Sequence, residues 1–284
     1  MRLVPVVGMH RSGTSVVARA LSLLGAHLGP DDDLMPPKAD NPRGFWESLS
    51  VARLHDDLLA ALGGRWDSPP LPPPGWERDP RLDPLKGRLR AIVESHYSGA
   101  ELAAWKDPRG SLLLPFWRSV TELSSSILCL RHPARVAASL AVRDGLAPER
   151  TARVWLASVL SVLRDDGAAL RVVVDEECRS PEELARRLAA FVGLPDPGPA
   201  AVEAVARSIE PALFHHRGEE APGVAAGPLL RLAGEVYGAL AGSAGSGLPP
   251  SVVELLHAAL PRPEDRAGAL DARVAALGLG RAGV

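Results

Sequence analysis

Short apolar runs alternate along the first two-thirds of the chain with longer stretches in which apolar residues recur every three or four positions. Leu3–Val7, Leu102–Trp105, Ser126–Leu130 and Leu170–Val174 have the length of strands. Helical periodicity covers about 14–25, 49–63, 84–97, 133–144, 149–166 and 181–192, with Gly193 placed as a C-terminal cap. This alternation predicts an α/β fold, a three-layer sandwich around a mainly parallel central sheet. Residues 66–84 hold seven prolines (Pro69, Pro70, Pro72, Pro73, Pro74, Pro80 and Pro84) and read as an extended connector rather than regular structure. Beyond Pro195 no strand pattern remains. Ala-rich helical segments at about 199–208, 227–241, 250–260 and 264–277 follow, broken by Gly and Pro. The expected organisation is a core over 1–195 with a helical extension, 196–284, packed on it.

The first strand runs directly into Gly8-Met9-His10-Arg11-Ser12-Gly13-Thr14-Ser15 and then into a helix. A strand, a glycine-bracketed loop and a helix N-terminus together make an anion cradle, because loop amides and the helix dipole point into one concavity. The spacing is that of a nucleotide-binding P-loop, G-x-x-x-x-G, so the expected fold is of the P-loop type. Thr14 stands where that motif carries lysine, and a cation comes earlier, at Arg11. The loop suits a phosphate-like group but lacks the side chain that reaches the β- and γ-phosphates of ATP.

Composition narrows the partners. In 284 residues, 32 basic side chains face 34 acidic ones, which gives no electrostatic case for nucleic acid. The apolar start is too short for a membrane span and is interrupted by His10 and Arg11, and no signal peptide is visible, so no membrane partner is expected. The two cysteines, Cys129 and Cys178, have neither metal-ligand spacing nor a disulfide framework. The expectation is a soluble protein of a reducing cytoplasm.

Three further segments carry candidate chemistry. The strand Ser126–Leu130 ends at Arg131, and Ser139 and Arg143 share a face of the following helix, so all three can converge on one phosphate. Arginine suits that task because its planar fork gives two parallel hydrogen bonds to an oxyanion. The strand Leu102–Trp105 delivers Lys106 and Asp107 to its carboxyl edge, where open α/β sheets bind ligands, with Pro108 starting a turn and Arg109 in reach of Asp107. The loop Asn41-Pro42-Arg43-Gly44-Phe45-Trp46-Glu47 leads into a helix, where Glu47 also suits a cap or the helix dipole. Phe45 and Trp46 can stack on a ligand ring or belong to the core. Trp105, Trp117 and Trp155 read as packing residues.

His10-Arg11-Ser12-Gly13-Thr14-Ser15 resembles the 5′-phosphosulfate loop of sulfotransferases that use 3′-phosphoadenosine 5′-phosphosulfate (PAPS). Arg131 followed eight residues later by Ser139 resembles their 3′-phosphate site, and Arg143 stands where protein-tyrosine sulfotransferases also carry arginine. Lys106-Asp107-Pro108 resembles a segment of the tyrosylprotein enzymes whose lysine contacts the phosphosulfate. Asn41 to Glu47 is similar to a segment of bacterial sulfotransferases. The resemblance spans about residues 1–195. It departs at the C-terminal side, where no glycine- and lysine-containing loop is found and Leu213-Phe214-His215-His216-Arg217 is the one polar cluster.

The resemblance implies sulfuryl transfer from PAPS to a hydroxyl of a small-molecule or glycan acceptor, leaving adenosine 3′,5′-bisphosphate, with no metal required. Arg11, Ser12, Gly13, Thr14 and Ser15 would hold the phosphosulfate, and Arg131, Ser139 and Arg143 the 3′-phosphate. Arg11 and Lys106 would stabilise transferring charge, and Glu47 would take the acceptor proton, with His10 and His55 as the other candidate bases. Two alternatives stay open: a P-loop kinase or NTPase, and a non-catalytic nucleotide-binding protein.

Overall fold

The structure, a computed structural model, describes residues 1–38, 41, 44–70, 72–209 and 227–242. Four strands, β1 (Arg2–Val7), β2 (Leu102–Lys106), β3 (Ile127–Leu130) and β4 (Leu170–Val173), form one sheet in the order β2-β1-β3-β4. Every pairing is parallel, with Val6 opposite both Lys106 and Ile127, and Leu130 opposite Val173. The fold is therefore α/β with a parallel central sheet, as the alternating pattern predicts. Pro5 is tolerated in a central strand where the pairing with β3 begins only at Val6.

Alternate residues of each strand enter opposite layers. Leu3, Val7, Trp105, Leu128 and Leu130 face one core, which is closed by α2 (Leu49–Ala61), α3 (Asp83–Tyr97), α5 (Pro133–Asp144) and α6 (Pro148–Asp165). Val4, Val6, Ala104, Ile127 and Cys129 face the other, under α1 (Thr14–Leu23) and α8 (Pro181–Phe191). Between α3 and β3 comes the short α4 (Leu114–Arg118), and between β4 and α8 the single turn α7 (Val174–Glu177). Neither is expected from periodicity, which cannot register in four or five residues. Helix α9 (Pro199–Ser208) puts Val202 and Val205 into the α1 layer, and α10 (Pro228–Ala241) puts Leu230, Ala233, Val236 and Leu240 into the other.

The connector at 66–84 is not wholly extended. Trp76–Arg78 and Pro80–Leu82 form 3₁₀ turns, the second started by the Asp79 side chain accepting from the Arg81 amide at 2.9 Å. Proline is compatible with a first helical turn, where its missing N–H would have no partner anyway. The helices expected at 250–260 and 264–277 and the cluster Leu213–Arg217 lie outside the described residues. Both cysteines are buried and unpaired, and Trp105, Trp117 and Trp155 are fully packed. Among the described residues, no helix is long and apolar enough to cross a membrane.

The strand order places the site. From β1 the chain crosses towards β2, and from β3 it crosses the other way towards β4. The adjacent carboxyl ends of β1 and β3 thus open a crevice of the kind in which α/β sheets bind ligands.

Candidate functional site

The loop leaving β1 is shaped by close approach. Gly8 has φ +141°, its amide donates to Ser111 Oγ at 2.8 Å, and a Cβ there would stand 2.5 Å from the Cys129 carbonyl oxygen. Gly13, with φ +81°, would press a Cβ 2.5 Å from Val174 Cγ1. Arg11 adopts φ +67°, a left-handed conformation costly for a side-chain-bearing residue, between those two glycines. Gly13 caps α1, so no side chain bonds the first-turn amides and no acidic residue stands there to neutralise them. Ser12 is buried with its Oγ lacking a partner. These are the features of an anion cradle.

The end of β3 closes one side of the cradle. Arg11 Nε donates to Ser139 Oγ at 2.9 Å, and Arg131 Nη1 donates to the Arg11 carbonyl at 3.2 Å. Arg131 is braced by Asp175, with Nε 3.3 Å from Oδ1, and the same carboxylate receives Arg135 at 2.7 Å. Trp155 Nε1 donates to the Arg131 carbonyl at 3.1 Å and fixes the strand end. Ser139 and Arg131 therefore both meet the loop that leaves β1. Arg143 lines the same cleft farther out, paired with Asp144 at 2.7 Å and lying 5.8 Å over the Trp66 ring.

The other side is built from β2. Lys106, at the strand's carboxyl end and 3% exposed, forms a buried ion pair with Glu47 and reaches Ser15 Oγ at 3.3 Å. Ser15 Oγ also donates to the Phe45 carbonyl at 3.2 Å, tying the loop before Glu47 to the cradle. Trp46 precedes Glu47 at φ +57°, with Arg19 of α1 stacked 4.5 Å over its ring, so Trp46 packs against α1. Burial pushes the Glu47 carboxyl up from its usual range, opposed by Lys106. Beyond them Arg109 pairs with Asp107 at 3.0 Å and Asp56 at 2.7 Å, and its Nη1 lies 4.0 Å from Glu47 Oε2. Behind Asp107, His55 Nδ1 stands at 3.4 Å, while His55 Nε2 accepts from Trp117 Nε1 at 2.8 Å. His55 is wholly buried in this buttress and does not reach the cleft.

Together these elements enclose a cleft of about 720 Å³. Among the described residues, its walls carry Arg11, Lys38, Lys106, Arg109, Arg131 and Arg143 against the carboxylates of Glu47 and Asp144. His10 stacks on Trp66 with ring centroids 4.5 Å apart, and its Nε2 is buried without a partner. Burial, with the nearby charges of Arg109, Arg143 and Lys106, holds the His10 imidazole well below the usual histidine range, so it stays neutral.

Sequence reasoning missed Trp66, which it left in a connector, and Asp175, which braces Arg131. The signal for Asp175 was present, since it follows β4 at the carboxyl edge of the sheet. It also gave Arg109 only a local pairing, whereas Arg109 lines the cleft. No protein-family model and no curated protein matches the chain. Among solved structures the chain is similar to the sulfotransferase domain of the Synechococcus PCC 7002 olefin synthase, at 14% identity and TM-score 0.42, over 92% of this chain and 96% of that one.

Proposed function

We propose that this protein transfers a sulfuryl group from PAPS to a hydroxyl of a small-molecule or glycan acceptor. The observation that carries the reading is that, among the described residues lining one cleft, six cationic side chains stand against two carboxylates, at a glycine loop that lacks the P-loop lysine. The start of α1, where no side chain bonds the first-turn amides and no acidic residue stands, fits a bound anionic ester. The motif resemblances point the same way.

In this reading the amides of Arg11–Ser15 hold the phosphosulfate, and Arg131, Ser139 and Arg143 hold the 3′-phosphate. The donor, once bound, supplies an activated sulfuryl group whose S–O bond to the 5′-phosphate breaks as the acceptor oxygen attacks. Arg11 and Lys106 neutralise charge on that phosphate and on the sulfuryl oxygens, in the role that positioned cations play in phosphoryl transfer. A sulfuryl group carries less negative charge than a terminal phosphoryl, so side-chain cations and loop amides suffice. Glu47 takes the acceptor's proton on a carboxylate oxygen.

Titration calorimetry with adenosine 3′,5′-bisphosphate, beside ATP with Mg²⁺, tests the reading. Binding of the bisphosphate that exceeds that of adenosine 5′-monophosphate supports it. Binding of Mg-ATP with indifference to the 3′-phosphate makes the protein a P-loop nucleotide enzyme instead.

A further inference from the structure

Lys106 and Glu47 engage each other, although the reaction asks each to engage something else. The Lys106 ammonium has three donors; one goes to Glu47 Oε1 and one to Ser15 Oγ, which belongs to the cradle. The ammonium thus sits between the carboxylate and the place where an anion binds. We propose that Lys106 serves two partners in turn, holding Glu47 before the donor binds and leaving it for the donor's oxygens afterwards. Glu47 then becomes a proton acceptor only in the donor-loaded protein. This rests on the sulfuryl-transfer reading.

The charged groups facing Glu47 are Lys106, Asp107 and Arg109, all from the carboxyl end of β2. Burial raises the Glu47 pKa and Asp107 raises it further; Lys106 is the chief influence against them. Arg109 compensates little when Lys106 departs, because it stands 4.0 Å away and is shared with Asp107 and Asp56. A buried carboxylate that loses its cation gains proton affinity. The proton balance is simple: the hydroxyl proton passes to a Glu47 oxygen as the acceptor oxygen bonds to sulfur. The arrangement makes donor binding precede acceptor activation.

The test needs no acceptor. Adenosine 3′,5′-bisphosphate is titrated into the full chain in buffers of different ionisation enthalpy near neutral pH, which reads protons taken up per ligand. Near neutral pH the wild type is expected to take up a fraction of a proton more per ligand than Glu47→Gln, because a Glu47 that stays the base must remain partly ionised in the loaded protein. Lys106→Gln is expected to lose the same excess, because its Glu47 lacks the cation from the outset. Should Glu47→Gln fail to fold, the comparison with Lys106→Gln decides alone. Bisphosphate binding with equal uptake in wild type and variants would overturn the exchange of partners and leave the sulfotransferase reading standing. Absence of bisphosphate binding by the wild type, or binding no tighter than that of adenosine 5′-monophosphate, would overturn both.

Discussion

Arg131 donates to the main-chain carbonyl of Arg11 at 3.2 Å, so the end of β3 holds the loop after β1 at the one residue of that loop in a left-handed conformation despite bearing a side chain. One side chain thereby links the two halves of the crevice. Arg131→Ala is expected to weaken bisphosphate binding by about 10- to 100-fold, the range for a lost charge-assisted hydrogen bond of about 1.5–3 kcal/mol. Calorimetry with adenosine 5′-monophosphate locates the effect. A loss confined to the bisphosphate assigns Arg131 to the 3′-phosphate, whereas equal losses for the two ligands assign it to the loop alone.

Gly13 combines a left-handed backbone with no room for a side chain, since an added Cβ would meet Val174 at 2.5 Å. Gly13→Ala is expected to cost at least about 1–2 kcal/mol in backbone strain, before the clash is counted. Denaturant unfolding measures it. Adding Val174→Ala should recover much of the steric part, since Cγ1 and Cγ2 go while Cβ stays 3.1 Å away, and leave the backbone part.

Asp107 is the buried hub that carries Arg109 on one side and His55 on the other. Burial pushes its carboxyl up, but Arg109 and His55 more than offset this and hold it below the usual carboxylate range. A folded pKa below the unfolded value means stability that is fully present above about pH 4 and lost as pH falls through the folded value. Asp107→Asn should destabilise by about 3–5 kcal/mol, because it leaves Arg109 buried with fewer partners. It should also flatten the loss of stability below about pH 4, which urea unfolding across pH would record.

His10 gives a second pH signature in a different window. Burial, then Arg109, Arg143 and Lys106, keep it neutral in the folded protein, while the unfolded chain protonates near about pH 6.5. Protons therefore bind the unfolded state first, and stability falls as pH drops below that value. His10→Gln should make the stability profile shallower between about pH 6.5 and 5. An unchanged slope would show that His10 titrates alike in both states.

Much of this was legible along the chain. Four strands and the longer helices lie within a few residues of where the periodicity puts them, because each signal is local. An apolar run, a proline at a helix start or a glycine after a helix acts over one or two turns. The cradle was legible for the same reason, since Gly8, Arg11, Gly13 and the start of α1 are consecutive in sequence. Polar residues at strand carboxyl ends, Lys106 and Arg131, could be nominated because parallel strands deliver their ends to one edge. The 3₁₀ turns within the proline-rich connector were not legible, as one turn is too short to carry a period.

What the tertiary structure alone decided is who meets whom. Lys106 and Glu47 are 59 positions apart, and Arg131 and Arg11 are 120 apart. No local preference links such pairs. Their meeting follows from the strand order β2-β1-β3-β4, which sets Lys106 on one side of the loop after β1 and Arg131 on the other. The sequence by itself determined the elements and the chemical character of their ends. The packing of two apolar layers against one sheet decided which of those ends share a cleft, and so put Glu47 on Lys106.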